Sequence, residues 1–156
     1  MTPPYLDTGL VVKLIVAEPL SDQVRCFLQR RGVAVAYTRL IEIETVNTLH
    51  AKRFRKEMTS SQLKDCLALI EELLTEGRFY RPSLSLDDVA LETLHMLPAV
   101  TGATGCRSLD LMHVASAKLL GWEEFVSSDQ RQLRAAAKAG LKSIDILNAP
   151  ENKNLA

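Results

Sequence analysis

Four acidic residues, far apart in the sequence, occupy surroundings suited to metal chemistry. Asp7 follows the apolar Pro4-Tyr5-Leu6 and precedes Thr8, and Asp129 follows Phe125-Val126-Ser127-Ser128. Both read as the residue at which a strand ends and a helix begins. Asp110 falls in the first turn of a helix that starts at Ser108 or Leu109. Capping explains any one of them alone, since an aspartate that accepts backbone N–H bonds at a helix start stabilises it by about 0.5–2 kcal/mol. Capping does not explain the neighbours of Asp110. His113, Val114 and Ala117 follow it at i+3, i+4 and i+7, a face that packs rather than one turned to water.

The fourth acid is Glu42 or Glu44, on a helix whose apolar positions include Leu40, Ile41, Ile43, Val46, Leu49, Ala51 and Phe54. At about 100° per residue, Glu44 lies roughly 40° from Leu40 and about 20° from Ala51. Glu42 lies around toward the exposed side. A carboxylate bordering a buried stripe needs a partner, which a metal or a basic side chain supplies. Glu44 is the better candidate. Clustered carboxylates repel one another and favour a hard divalent cation such as Mg²⁺ or Mn²⁺. Thr8 and Ser127 read either as caps or as donors that orient the carboxylates. Arg107 has two open roles, a contact to a substrate phosphate or an internal ion pair with one of the acids. His113 reads as a packed, hydrogen-bonded histidine rather than a ligand.

Placing these residues together requires strands that alternate with helices. Strands are expected at residues 4–6, 33–37, 79–81, 124–127 and 142–147. Helices are expected at 10–16, 22–31 (capped by Ser21 and closed by Gly32), 40–56, 60–76, 85–97, 108–120 and 129–139. Thr59-Ser60-Ser61 caps the fourth helix, and the third and fourth form a helical hairpin. Residues 98–107, with two glycines and two threonines, read as the clearest loop. This alternation predicts a three-layer α/β/α fold around a central parallel sheet, plus the hairpin. In such a sheet the strand ends of one polarity share an edge, where separated acids meet. One domain over residues 1–147 and a flexible C-terminal tail over 148–156 are expected.

The chain has 156 residues, and Lys plus Arg equals Asp plus Glu at 19 each, so there is no overall basic excess of the kind a duplex-binding protein shows. Positive charge is local. The run at residues 51–57, AKRFRKE, fits a solvated helix end and a nucleic-acid patch equally well. Three cysteines without a CxxC pair make a poor disulfide framework. With no apolar run near the roughly 18 residues a membrane span needs, and no signal-peptide pattern, a cytoplasmic protein with no membrane contact is expected.

At the acids the sequence resembles a PIN domain, and in particular the toxin of VapBC toxin–antitoxin pairs. Four blocks from residue 5 to about 147 carry the likeness: YLDTGLVVKL, TRLIEIETVNTL, RSLDLMHVASAKLLG and EFVSSDQRQLRAAAKAGL. The third is the most specific, matching an Arg-x-x-Asp-x-x-His-x-Ala-x-Ala signature. In the second block the register selects Glu44. In the fourth, Ser127 stands where threonine is usual. The resemblance implies that Asp7, Glu44, Asp110 and Asp129 bind Mg²⁺ or Mn²⁺ and hydrolyse phosphodiester bonds of single-stranded or loop RNA. It also implies a cognate antitoxin protein and a homodimer, with the hairpin at 40–76 as one candidate surface. Two other functions stay in view, a nonenzymatic PIN-fold binding or scaffold module and a PIN nuclease with a housekeeping role in RNA processing. A haloacid-dehalogenase-like phosphatase is disfavoured, because it needs Asp-x-Asp where this chain has Asp7-Thr8-Gly9.

Overall fold

The computed structural model describes residues 2–152. Five short parallel strands form its middle layer: β1 (Tyr5–Leu6), β2 (Val35–Ala36), β3 (Phe79–Tyr80), β4 (Glu124–Ser127) and β5 (Lys142–Asp145). Two hydrogen-bonded ladders run β1-β4-β5 and β2-β3, and β1 lies beside β2. The register pairs Leu6 with Val126 and Val126 with Ile144. Asp7 and Ser127 therefore emerge side by side, and the Asp7 N–H extends the ladder to the Val126 carbonyl at 3.1 Å. Tyr5 and Phe125 are fully buried and stack 5.5 Å apart at the centre of the core.

Seven helices cover the strands: α1 (Thr8–Ile15), α2 (Ser21–Arg31), α3 (Arg39–Phe54), α4 (Ser60–Thr75), α5 (Leu86–Thr104), α6 (Ser108–Leu119) and α7 (Gln130–Lys138). α1 packs on α2, α3 and α4, while α5, α6 and α7 pack on one another, giving the expected three-layer α/β/α arrangement. α3 and α4 form the hairpin. Thr59 caps α4 through a reciprocal capping box with Gln62, as its sequence implies. Among the described residues, no helix is long and apolar enough to cross a membrane.

Three local expectations are corrected. Residues 98–104 are the last turns of α5, not a loop, and the helix passes through Pro98 to end at Gly105, whose φ is +64°. An interior proline costs about 3 kcal/mol, but burial of Met96 and Val100 against the core favours continuing the helix. Ser21 does not cap α2 and is its first residue. Its hydroxyl instead donates to the Val16 carbonyl at 3.2 Å and accepts from the Glu18 N–H at 3.0 Å, tying down the turn before the helix. Residues 148–152, the start of the expected tail, form a turn that lies against the domain. The Asp145 carboxylate accepts from the Leu147 N–H and starts a 3₁₀ turn at Ile146, which shortens the last strand. A second turn, Pro150–Asn152, buries Ala149 and brings Glu151 to within 2.6 Å of Arg31. The rest of the expected tail, 153–156, lies outside the described residues.

Candidate active site at the carboxyl edge of the sheet

The end of β1 delivers Asp7 into the fold, where it is only 6% exposed. One carboxylate oxygen caps α1 by accepting from the Leu10 N–H at 2.8 Å, and the other accepts from the Ser127 hydroxyl. Capping and a site role thus coexist in one residue. Burial pushes the Asp7 carboxyl above its ordinary range, outweighing the bonds from Ser127 and Leu10 and the charges of His113 and Lys13. No salt-bridge partner is within reach of it among the described residues.

Ser127 connects Asp7 to the next two acids. Its oxygen accepts from the Asp129 N–H at 2.9 Å and lies 3.2 Å from the Gln132 amide oxygen. The Gln132 amide nitrogen reaches the Asp110 carbonyl at 3.5 Å. Asp129 caps α7, its carboxylate accepting from the N–H groups of Arg131 and Gln132, and its side chain is exposed. Asp110 forms an ion pair with Arg107 at 3.0 Å. Of the two roles open to Arg107, the internal pair is thus realised, yet the guanidinium stays 71% exposed at the mouth of the site. The hydrogen bond to Asp110 raises the Arg107 pKa first, and the charge of Asp129 adds to it.

Glu44 enters from α3, bordering the buried stripe of Leu40, Ile41 and Leu49. Its carboxylate accepts from the Thr8 hydroxyl at 2.8 Å and from Nε2 of His113. His113, one turn beyond Asp110, is buried, and its Nδ1 lies 2.9 Å from the Tyr5 hydroxyl. The two ring nitrogens of His113 thus bridge Tyr5 and Glu44. Burial raises the Tyr5 pKa, so the phenol remains a donor. Burial also pushes Glu44 up, but His113, Thr8 and the charge of Arg107 outweigh it and hold the carboxyl below its usual range. Glu42 points elsewhere, paired with Arg39 and, at 2.7 Å, with Arg81.

Ser127 and Gln132 thus connect the Asp7 carboxylate to the backbone of Asp129 and of Asp110, while Thr8, next to Asp7, and His113, one turn from Asp110, hold Glu44. Tyr5 and Gln132 were not singled out from the sequence. Gln132 carried a signal, being a polar residue on the same helical face as Leu133, Ala135 and Ala136, all buried. Tyr5 carried none, because a strand tyrosine reads as core.

Among the described residues, no three His, Cys, Asp or Glu side chains stand in a metal-holding arrangement. The bonds above give the reason: Glu44 turns to His113, Asp110 to Arg107, and Asp129 to its own helix. The donor set nonetheless suits a hard divalent ion, because it is all carboxylate oxygen and includes the buried Asp7. Comparison with curated proteins gave no match. The PIN domain family profile matches residues 5–138, from the strand that delivers Asp7 through the helix that Asp129 caps. With most of its length and all four acids inside that match, the chain belongs to the PIN domain family, whose members are usually nucleases.

Proposed function

We propose that this chain is a divalent-metal-dependent endoribonuclease, the toxin of a VapBC-type toxin–antitoxin pair acting in the cytoplasm. The observation that carries this reading is Asp7, a buried carboxylate at the carboxyl edge of the strands, held by hydrogen bonds and by no salt bridge among the described residues. Burying a carboxylate without a counter-charge is costly, and the cost is sensible where a cation is to be bound. Asp7, Glu44, Asp110 and Asp129 would hold Mg²⁺ or Mn²⁺ directly or through water. The ion, when bound, supplies a lowered pKa for water and offsets charge on the phosphate.

The chain's own residues would do the positioning. Ser127 orients Asp7, Thr8 orients Glu44, and His113, itself held by Tyr5, contacts the same Glu44 oxygen as Thr8 while no ion is bound. Glu44 would exchange its contact with His113, and Asp110 its contact with Arg107, when the ion arrives. Arg107 is then released to meet a substrate phosphate in the forked geometry that guanidinium favours. Exposed apolar residues on α3, Ile43 and Phe54, offer the hairpin as a surface for an antitoxin or a second copy.

RNA cleavage with Mg²⁺ or Mn²⁺ tests the reading, comparing the wild type with Asp7→Asn and Asp110→Asn. Each substitution removes a charge and nearly keeps the shape. Cleavage by the wild type and its loss in both variants is expected, and unchanged cleavage in both overturns the mechanism. The rival reading, a nonenzymatic binding module, draws on the protein partner each carboxylate already has. It expects no rise in thermal stability at millimolar Mn²⁺. A housekeeping nuclease would share the chemistry and differ in its RNA.

A further inference from the structure

The basic run at the end of α3 does not point uniformly into solvent. Lys52 and Arg55 turn into a groove of about 320 Å³ between α1 and α3, which Thr8 and Glu44 line at one end and Lys13 lines along its side. On α3, Glu44, Thr48 and Lys52 are spaced at i, i+4 and i+8 and share one face, so the groove leads continuously from the acids to the lysines. Eight residues at 1.5 Å each place Lys52 about 12 Å along the helix from Glu44. Lys13 lies near enough to Asp7 for its charge to act on that carboxylate.

At the far end the two lysines share one carboxylate. One Glu18 oxygen lies 2.5 Å from Lys52 Nζ and the other 3.5 Å from Lys13 Nζ. All three side chains are about one-fifth exposed, so the arrangement is walled rather than free in solvent. Glu18 is carried by the short turn between α1 and α2, fixed by the Ser21 hydroxyl accepting its N–H and by Leu20 in the left-handed region at φ +74°. Two oxygens of one anion, each against a different lysine, is the contact pattern that the two nonbridging oxygens of a phosphodiester would make.

We propose that Lys13 and Lys52 bind a backbone phosphate of single-stranded RNA beside the scissile bond, and that Glu18 occupies this clasp as a built-in competitor. The proposal rests on the ribonuclease reading for its ligand. Because Lys52 stands eight helical residues from Glu44, the clasp holds the strand beside the cut and leaves the scissile phosphate to the acidic edge. Arg55, at the groove's open end and paired with Glu57 at 2.6 Å, extends the track toward solvent. The competitor gives the site a threshold. RNA must displace Glu18, so weakly held anions are excluded while a strand engaged at both the acids and the clasp is retained.

The test is fluorescence anisotropy with a labelled single-stranded RNA oligonucleotide in EDTA, so that no cleavage intervenes, at several salt concentrations. The Lys13→Gln/Lys52→Gln protein should bind roughly tenfold more weakly, and its salt slope should flatten by about 0.7, the value for one phosphate no longer neutralised. Glu18→Gln should bind roughly three- to tenfold more tightly, a change that misfolding does not produce. Unchanged affinity in the double variant, weaker binding by Glu18→Gln, or no RNA binding by the wild type at low salt would each overturn the proposal. A parallel cleavage assay with Mn²⁺ separates it from the reading it rests on. Binding that follows these variants without any cleavage retires the nuclease and keeps the clasp. Cleavage with binding indifferent to all three substitutions does the reverse.

Discussion

Two acids at opposite ends of the parallel strands, Glu124 and Asp7, are held in opposite ways. At the amino end, Glu124 pairs with Arg31 at 2.7 Å and with Lys142 at 2.7 Å, and Glu151 pairs with Arg31 at 2.6 Å. Burial raises the Glu124 carboxyl, but Lys142 and Arg31 outweigh it and hold it below its ordinary value. At the carboxyl end, Asp7 is the more deeply buried acid and has only hydrogen bonds, so burial wins and its carboxyl is pushed up. A carboxylate thus serves stability at Glu124 and is buried without a salt bridge at Asp7. A buried acid with no ion pair favours the arrival of a cation.

Breaking the carboxyl edge should have the largest effect. Asp7→Asn or Asp110→Asn should lower RNA cleavage by about 10³ or more, equivalent to roughly 4 kcal/mol of transition-state stabilisation. Arg31→Met should leave cleavage within about twofold of the wild type, measured in the same assay. Next in size, Mn²⁺ at 100 times its dissociation constant should stabilise the wild type by about 2.7 kcal/mol and Asp7→Asn far less, read as a shift in Tm.

Breaking the paired edge should cost stability alone. Arg31→Met removes the salt bridge of Glu151 and one of the two of Glu124, which keeps Lys142, and should destabilise by about 1–3 kcal/mol in urea unfolding, a range discounted for partial exposure. Without metal, Asp7→Asn should instead stabilise at neutral pH by about 1 kcal/mol. The amide keeps one oxygen to cap α1, its nitrogen can donate to Ser127, and no charge is buried. A drop in stability there would mean that Asp7 is structural.

The smallest effect is a pH dependence at Glu124. Its folded pKa lies below the ordinary 4.5, so its contribution is full above that pH and is lost as pH falls through the folded value. The stability gap between wild type and Glu124→Gln should stay level from about pH 7 to 5 and close below about 4.5. A gap that widens on acidification would contradict the pairing.

Much of this contrast was legible in the sequence wherever local chemistry decides the structure. The strand–Asp–helix contexts at Asp7 and Asp129 and the Thr59 cap all follow from short-range rules. Each has its expected position. What was not legible depends on distant partners. Residues 98–107 look like a loop because of Pro98 and two glycines, and packing of Met96 and Val100 carries the helix through Thr104. The docking of residues 148–152 depends on Arg31, some 120 residues away in the chain. His113 was legible as a packed histidine, but its bridge between Tyr5 and Glu44 joins three separate elements. The direction of the basic run at 51–57 was open for the same reason, because Glu18 on another element draws Lys52 into the groove.

An anomalous difference map from crystals soaked in Mn²⁺ tests the central claim most directly. The expected result is a peak bonded at roughly 2.1 Å to carboxylate oxygens of at least two of Asp7, Glu44, Asp110 and Asp129. The Glu44–His113 or Asp110–Arg107 pair should open at the same time. Manganese found only at other surface acids, with this edge unchanged, would contradict the claim.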